Sequence, residues 1–259
     1  MFDRLQKPFL TVETGEAYQP VRLTYEVFDR HALFAVLSGV RCVEEGEGPD
    51  QVWTLYWRDE CDELHFESLE SFQRNADNPL RLASLQYHGN YLYVNLRSFK
   101  RACLVLPFLH QLINSKTACI HHADFINKVF ATDERLPHGF SEMFSDEELQ
   151  RILAQRLDDY HHVQEKCELA KTAEEAFSCL ADYTRTEARK RLPYAERYVF
   201  SLKEQDDAEV IFLGFYIFLR ARELVAIKRW FGEAGYSLAD AVDETVESVF
   251  GDMGIDLID

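Results

Sequence analysis

Residues 210–231, VIFLGFYIFLRARELVAIKRWF, are the longest apolar run in the chain. Residues 210–219 carry no charge, and then Arg220, Arg222, Glu223, Lys228 and Arg229 interrupt. Leu213, Ile217, Ala221, Leu224, Ile227 and Phe231 recur at three- and four-residue spacing, which puts them on one continuous helical face. A bilayer span needs about 20 apolar residues, so this run is too short and too charged to cross a membrane. A helix apolar all round at one end and amphipathic at the other is the pattern of a central helix packed on several sides. The second half of the chain is therefore expected to wrap around 210–231.

Outward from that segment, everything from Ser145 on reads helical. Three start signals have capping-box form: Ser145 to Glu148, Thr172 to Glu175, and Ser237 to Asp240 with Asp in place of Glu. The first opens a helix to about residue 170, with Leu149, Ile152, Leu153, Leu157, Tyr160 and Val163 on one face. The second runs through Ala176, Phe177, Leu180 and Tyr183 until Pro193 bends or ends it. Residues 194–202 read as a further helical piece, and 238–250 as the closing helix. Short connections between such helices predict an antiparallel bundle.

The first ninety-six residues read as strands instead. Val21, Leu23, Tyr25 and Val27 alternate with Arg22, Thr24, Glu26 and Phe28, the period of a sheet with one wet face. Residues 9–14 read as a short strand before a turn at 15–20. The run 32–43 and the strand 52–57 read as a hairpin around the acidic tip EEGEGPD, and 68–75 as a short helical turn. Segments 82–87 and 91–96 flank His88-Gly89-Asn90, a compact hairpin with Gly89 at a positive φ. Ser98 is the expected N-cap of a helix to about Ile113, which Pro107 should kink or split. The fold class expected is α+β: an N-terminal antiparallel β-meander packed by a helix (1–135), then a C-terminal helical bundle (136–259), with the polar loop 131–140 as boundary.

The chain has 259 residues, 47% of them hydrophobic, and a net charge of −17. That is the composition of a chain with a packed core, and its acidity argues against direct nucleic-acid binding, which depends on Lys and Arg displacing counterions. Acids concentrate at 44–70 and 237–259. Six cysteines form no CxxC pair and no signal-peptide core opens the chain, so reduced thiols in the cytoplasm are expected.

The densest reactive cluster is Cys119, His121, His122 and Asp124. In an extended strand, Cys119 and His121 share one face, with Ile120 and His122 on the other. With His110 or His88 they would begin a divalent-metal site, although no established ligand spacing accompanies them. Asp124 equally suits an N-cap before Phe125, Ile126, Val129 and Phe130. A second group, Asp158, Asp159, His161 and His162, lies on one helix without the second Glu-x-x-His that a di-metal bundle uses. Cys103 and Cys119 fall in apolar contexts that keep thiols protonated. Nucleotide and acyl-transfer motifs are missing: there is no GxGxxG, GxxxxGK[ST] or GxSxG. Arg185, Arg189, Lys190 and Arg191, near Arg220, Arg222, Lys228 and Arg229, read either as intramolecular ion pairs or as an anion-binding groove.

The functional expectation is a soluble cytoplasmic, non-enzymatic protein-interaction or regulatory module with an acidic surface, needing no cofactor, whose partner is another, basic protein. The alternative is a metal-dependent or thiol enzyme with its site near the domain junction around His121, His122 and Asp124. A third reading is an acidic decoy that occupies a basic DNA-binding protein.

Overall fold

A computed structural model describes residues 8–47, 51–66, 79–136, 140–143, 151, 165–167, 169, 172–200 and 208–252. In chain order its elements are β1 (Val21–Val27), α1 (Arg30–Ser38), β2 (Val43–Glu45), β3 (Val52–Tyr56), β4 (Arg81–His88), β5 (Tyr91–Leu96), α2 (Phe99–Leu112), β6 (Ala118–Ile126), α3 (Phe140–Met143), α4 (Ala173–Arg189), β7 (Ala195–Val199), α5 (Ala208–Trp230) and α6 (Leu238–Asp252). In β1, Val21, Leu23, Tyr25 and Val27 are buried and Glu26 is exposed, as the alternation predicts, but Thr24 is buried as well, so the second face is wet only in part.

The strands form one seven-stranded antiparallel sheet in the order β2-β3-β4-β5-β1-β6-β7. With the helices this is an α+β protein. Val21, Leu23, Leu92, Val94, Leu96 and Phe125 line its apolar face and share a core with Phe99, Val105 and Leu109 of α2. Phe200, Phe215 and Leu219 belong to that same core. Thus α5 lies against the sheet and α2 with Phe215, Leu219 and Arg222 innermost. On another side Ala221 and Val225 meet Ala241 of α6. Leu213, Ile217, Leu224 and Ile227 of the expected stripe are only half-buried, because the sheet takes the neighbouring stripe instead.

Several local expectations are met. Ser98 Oγ accepts from Arg101 N at 3.1 Å, Thr172 Oγ1 from Glu175 N at 3.1 Å, and Gly89 has φ 61°. Ser237 and Asp240 cap each other reciprocally: Asp240 Oδ2 accepts from Ser237 N at 2.8 Å, and Ser237 Oγ from Asp240 N at 3.3 Å. Pro107 does not split α2, which runs as one helix from Phe99 to Leu112.

Four readings are corrected. Residues 30–38 form α1, not part of a hairpin; Asp29 Oδ1 accepts from Ala32 N at 3.0 Å, and Leu33 and Leu37, one turn apart, are buried. Residues 9–14 make only bridges, Phe9 to Ala131 and Thr11 to Ala17, around Gly15 at φ 88°. Residues 195–199 are strand β7, not helix, so 136–259 is not all helical. Pro193 ends the preceding helical tendency, and the bare edge of β6 offers AERYV a ladder that local propensity could not anticipate. Fourth, Asp124 lies inside β6 and caps no helix. The helical turn read at 68–75, the cap at Ser145 with most of its helix, and the group Asp158, Asp159, His161 and His162 lie outside the described residues.

Candidate functional site

The reactive cluster sits on β6, and a bulge decides its geometry. Thr24 pairs with His122 and Tyr25 with Ile120, leaving His121 as the extra residue. A bulge reverses the side-chain parity beyond it, so Ile120 and Ala123 both face the core. Cys119, His122 and Asp124 then stand in register with Glu26, Thr24 and Arg22 on the other face. The expected split, with Cys119 and His121 opposite His122, is thereby corrected. The two imidazoles meet instead, Nδ1 to Nδ1 at 2.7 Å.

His122 Nε2 lies 3.4 Å from Asp124 Oδ2, and both residues are buried. Across the ladder, Arg197 of β7 donates Nε to Asp124 Oδ1 at 2.5 Å and Nη2 to Oδ2 at 2.8 Å. Burial pushes the Asp124 carboxyl up, but the bonds from Arg197 and His122 outweigh it and leave its pKa lowered. The candidate metal ligands are therefore a linear chain, and its carboxylate is committed to a guanidinium. His110, on α2, stacks edge-on against Phe212 of α5 at 5.0 Å, and His88 sits at the β4–β5 turn opposite Tyr91; neither completes the set. Among the described residues no group of three or more His, Cys, Asp or Glu converges to hold a metal ion. Burial raises the Cys103 thiol, and burial followed by the Glu26 charge raises that of Cys119.

The basic residues of the second half divide into two sets. Arg185 pairs with Asp182 at 2.9 Å, Lys228 with Glu233 at 3.9 Å, Lys190 with Glu187, and Arg220 with Glu223. Arg222, almost fully buried, donates Nε to Glu196 Oε2 at 2.7 Å and Nη2 to Oε1 at 3.2 Å. Arg191 and Arg229 have no carboxylate partner among the described residues. Both line one cleft of about 430 Å³.

That cleft has three walls: Asn127–Val129 as the chain leaves β6, Arg191–Tyr194 as it enters β7, and Val225, Ala226, Arg229 and Trp230 in the last turns of α5. A buried polar network ties the walls together. Asn127 Nδ2 donates to Glu196 Oε2 at 2.6 Å and to Pro193 O at 2.9 Å, while Arg222 brings α5 to the same carboxylate. Gly232, at φ 98°, ends α5: Gly232 N donates to Arg229 O at 3.1 Å and Glu233 N to Lys228 O at 3.0 Å. Arg229 Nε donates to Tyr236 O at 3.0 Å, which orients the guanidinium. Lys128 also lines the cleft, paired with Glu134 and 4.9 Å from the Phe130 ring centroid.

Of the residues read from sequence, only Arg191 and Arg229 meet here. Asn127, Lys128, Glu196 and Trp230 went unseen, since strand pairing of 195–199 is what brings residues 127 and 191 together. The sequence matches no protein-family model, no curated protein and no solved structure.

Proposed function

We propose that the chain is a non-enzymatic recognition module, regulatory rather than catalytic, that takes an anionic group carried on an apolar body into this cleft. One observation carries the reading: Arg191 and Arg229, without carboxylate partners among the described residues, converge on a cavity of about 430 Å³ with apolar walls. Ligand sites run roughly 300–1,000 Å³ and combine apolar lining with a few fixed polar groups. Guanidinium pairs suit carboxylate or phosphate, which they bind in bidentate fashion. Leu192, Pro193, Val225 and Trp230 supply the apolar surface.

The anion is either that of a small molecule or the carboxylate end of a partner protein. The charge of −17 disfavours a nucleic-acid strand. A basic partner on the acidic hairpin has less to hold, since Arg58 pairs with Glu44 at 2.6 Å and Arg41 lies 3.6 Å from both Asp59 and Glu60. All six cysteines are free thiols, which agrees with a reducing compartment such as the cytoplasm. Among the described residues no helix is long and apolar enough to cross a membrane.

Calorimetric titration of the full chain with benzoate, phenyl phosphate and inorganic phosphate tests the reading. Hydrogen bonds to charged groups contribute about 1.5–3 kcal/mol, so Arg191→Ala and Arg229→Ala should each weaken binding about tenfold or more. Equal affinity in the double variant, or no binding by wild type, overturns the proposal. A peptide ending in Phe-carboxylate, compared with its amide, separates the two sources: a partner's C-terminus predicts capture of the acid form alone.

A further inference from the structure

Four of the cysteines stand in two contact pairs, and the pairs differ in access. Cys42 and Cys61 share a thiol–thiol hydrogen bond, and both are fully buried. The turn that carries Cys61 is pinned over them. Asp59, at φ 50°, bends the chain back, and Glu60 Oε2 accepts from Arg41 N at 3.0 Å and Cys42 N at 2.9 Å. An oxidant meets that pair only after the turn opens.

Cys167 and Cys179 share the same kind of bond, but both are half-buried. Glu165, Lys166, Leu169, Glu175 and Ser178, on either side of them in the chain, are exposed. Their contact follows from the local chain path. Leu169 N still donates to Glu165 O at 3.1 Å, in helical fashion, and Thr172 already caps α4. Only residues 170 and 171 separate the two signals, a connection short enough to keep successive helical segments side by side. Thiols whose side chains already point at one another meet the geometric demand of a disulfide without backbone movement.

We propose that Cys167 and Cys179 are a redox-active dithiol that closes reversibly to a disulfide by exchange with a small-molecule disulfide of the glutathione class. The step balances. One protein thiolate attacks a sulfur of the small disulfide, which forms a mixed disulfide and releases one small thiolate. The second protein thiol gives up its proton, attacks the protein sulfur of the mixed disulfide and expels the second small thiolate. The protein loses two electrons and two protons, and the small disulfide becomes two thiols. Because the second thiol already touches the first, its attack is intramolecular and the mixed disulfide is short-lived. The bridge ties α4 to the helical turn that precedes it.

The test is incubation of the full chain with oxidised and reduced glutathione at set ratios, acid quenching, alkylation and peptide mapping by mass spectrometry. The first bridge to form should join Cys167 to Cys179, the thiols that titrate in the native protein should fall by two, and reduced glutathione should restore both. Cys42 and Cys61 should stay reduced throughout. Cys167→Ser should leave Cys179 as a persistent mixed disulfide, and Cys179→Ser should leave Cys167 so. If either variant fails to fold, the mapping of wild type still decides. Glutathione on both cysteines without a bridge, a bridge at Cys42–Cys61 first, or no change at Cys167 and Cys179 under ratios that oxidise the urea-unfolded chain overturns the proposal. The outcome is independent of whether the cleft binds anions.

Discussion

Two buried ion pairs, Asp124–Arg197 and Glu196–Arg222, fasten β7 to β6 and α5 to β7. Removing one partner of a buried pair costs about 3–5 kcal/mol, because the other charge stays behind uncompensated. Asp124→Asn is therefore expected to lower unfolding free energy by about 3 kcal/mol at neutral pH, measured by urea denaturation. The pH dependence follows from the direction of the Asp124 shift. Burial raises that carboxyl, but Arg197 and His122 leave it below its ordinary value. A carboxyl lowered in the folded state contributes stability above its unfolded pKa of about 3.9, and that contribution is lost as pH falls through the folded value. The gap between wild type and Asp124→Asn should hold from neutral pH to about pH 4 and close below it. A gap independent of pH would mean that the charge on Asp124 is not what stabilises the strand pair.

Elements whose pattern and cap agreed were legible in the sequence. Alternation marked β1, the HGN turn marked the β4–β5 hairpin, and Ser98, Thr172 and Ser237 marked three helix starts. Ser98→Ala, which removes the acceptor for the Arg101 amide, should cost α2 about 1 kcal/mol; Ser98→Thr, which keeps the capping hydroxyl, should restore most of it. Thermal denaturation of the three proteins decides the matter, and an unchanged midpoint in Ser98→Ala would show that the cap bond is replaceable by solvent. Elements were misread where long-range pairing or an unremarked cap decided. In 30–38 an apolar run suits strand and helix alike, and Asp29 at its N-cap decides for the helix. In 195–199 local preference, Ala195 and Glu196 against Tyr198 and Val199, does not decide for a strand. The pairing with β6 does, and it also builds the cleft, which is why Arg191 could be noticed in the sequence while Asn127 and Lys128 could not. The histidine chain was half legible: the residues stood out, but a bulge at His121 changed which of them touch.

At the scale of the whole molecule, the question is whether residues 1–135 make a unit of their own, as the change from strand to helix signals at 131–140 suggests. The sheet order argues against it. Cutting at 135 removes β7 and so bares the edge of β6 along His122–Ile126, whose side chains are all buried. It also takes Phe200, Phe215 and Leu219 out of the core shared with β1, β5 and α2. A buried Phe or Leu side chain contributes about 1.5–3 kcal/mol by its removal from water, so losing three removes a large share of a stability that is normally about 5–15 kcal/mol. A bare edge strand is in addition a template for intermolecular pairing. Residues 1–135 expressed alone are therefore expected to aggregate, or to stay monomeric without a cooperative thermal transition or near-ultraviolet dichroism. Mixing with residues 136–259 should restore both signals, because the second fragment returns β7 and α5 together. A soluble 1–135 fragment that melts cooperatively as a monomer would instead establish two domains meeting at 135/136, with β7 and α5 as a dispensable cover over a core already complete.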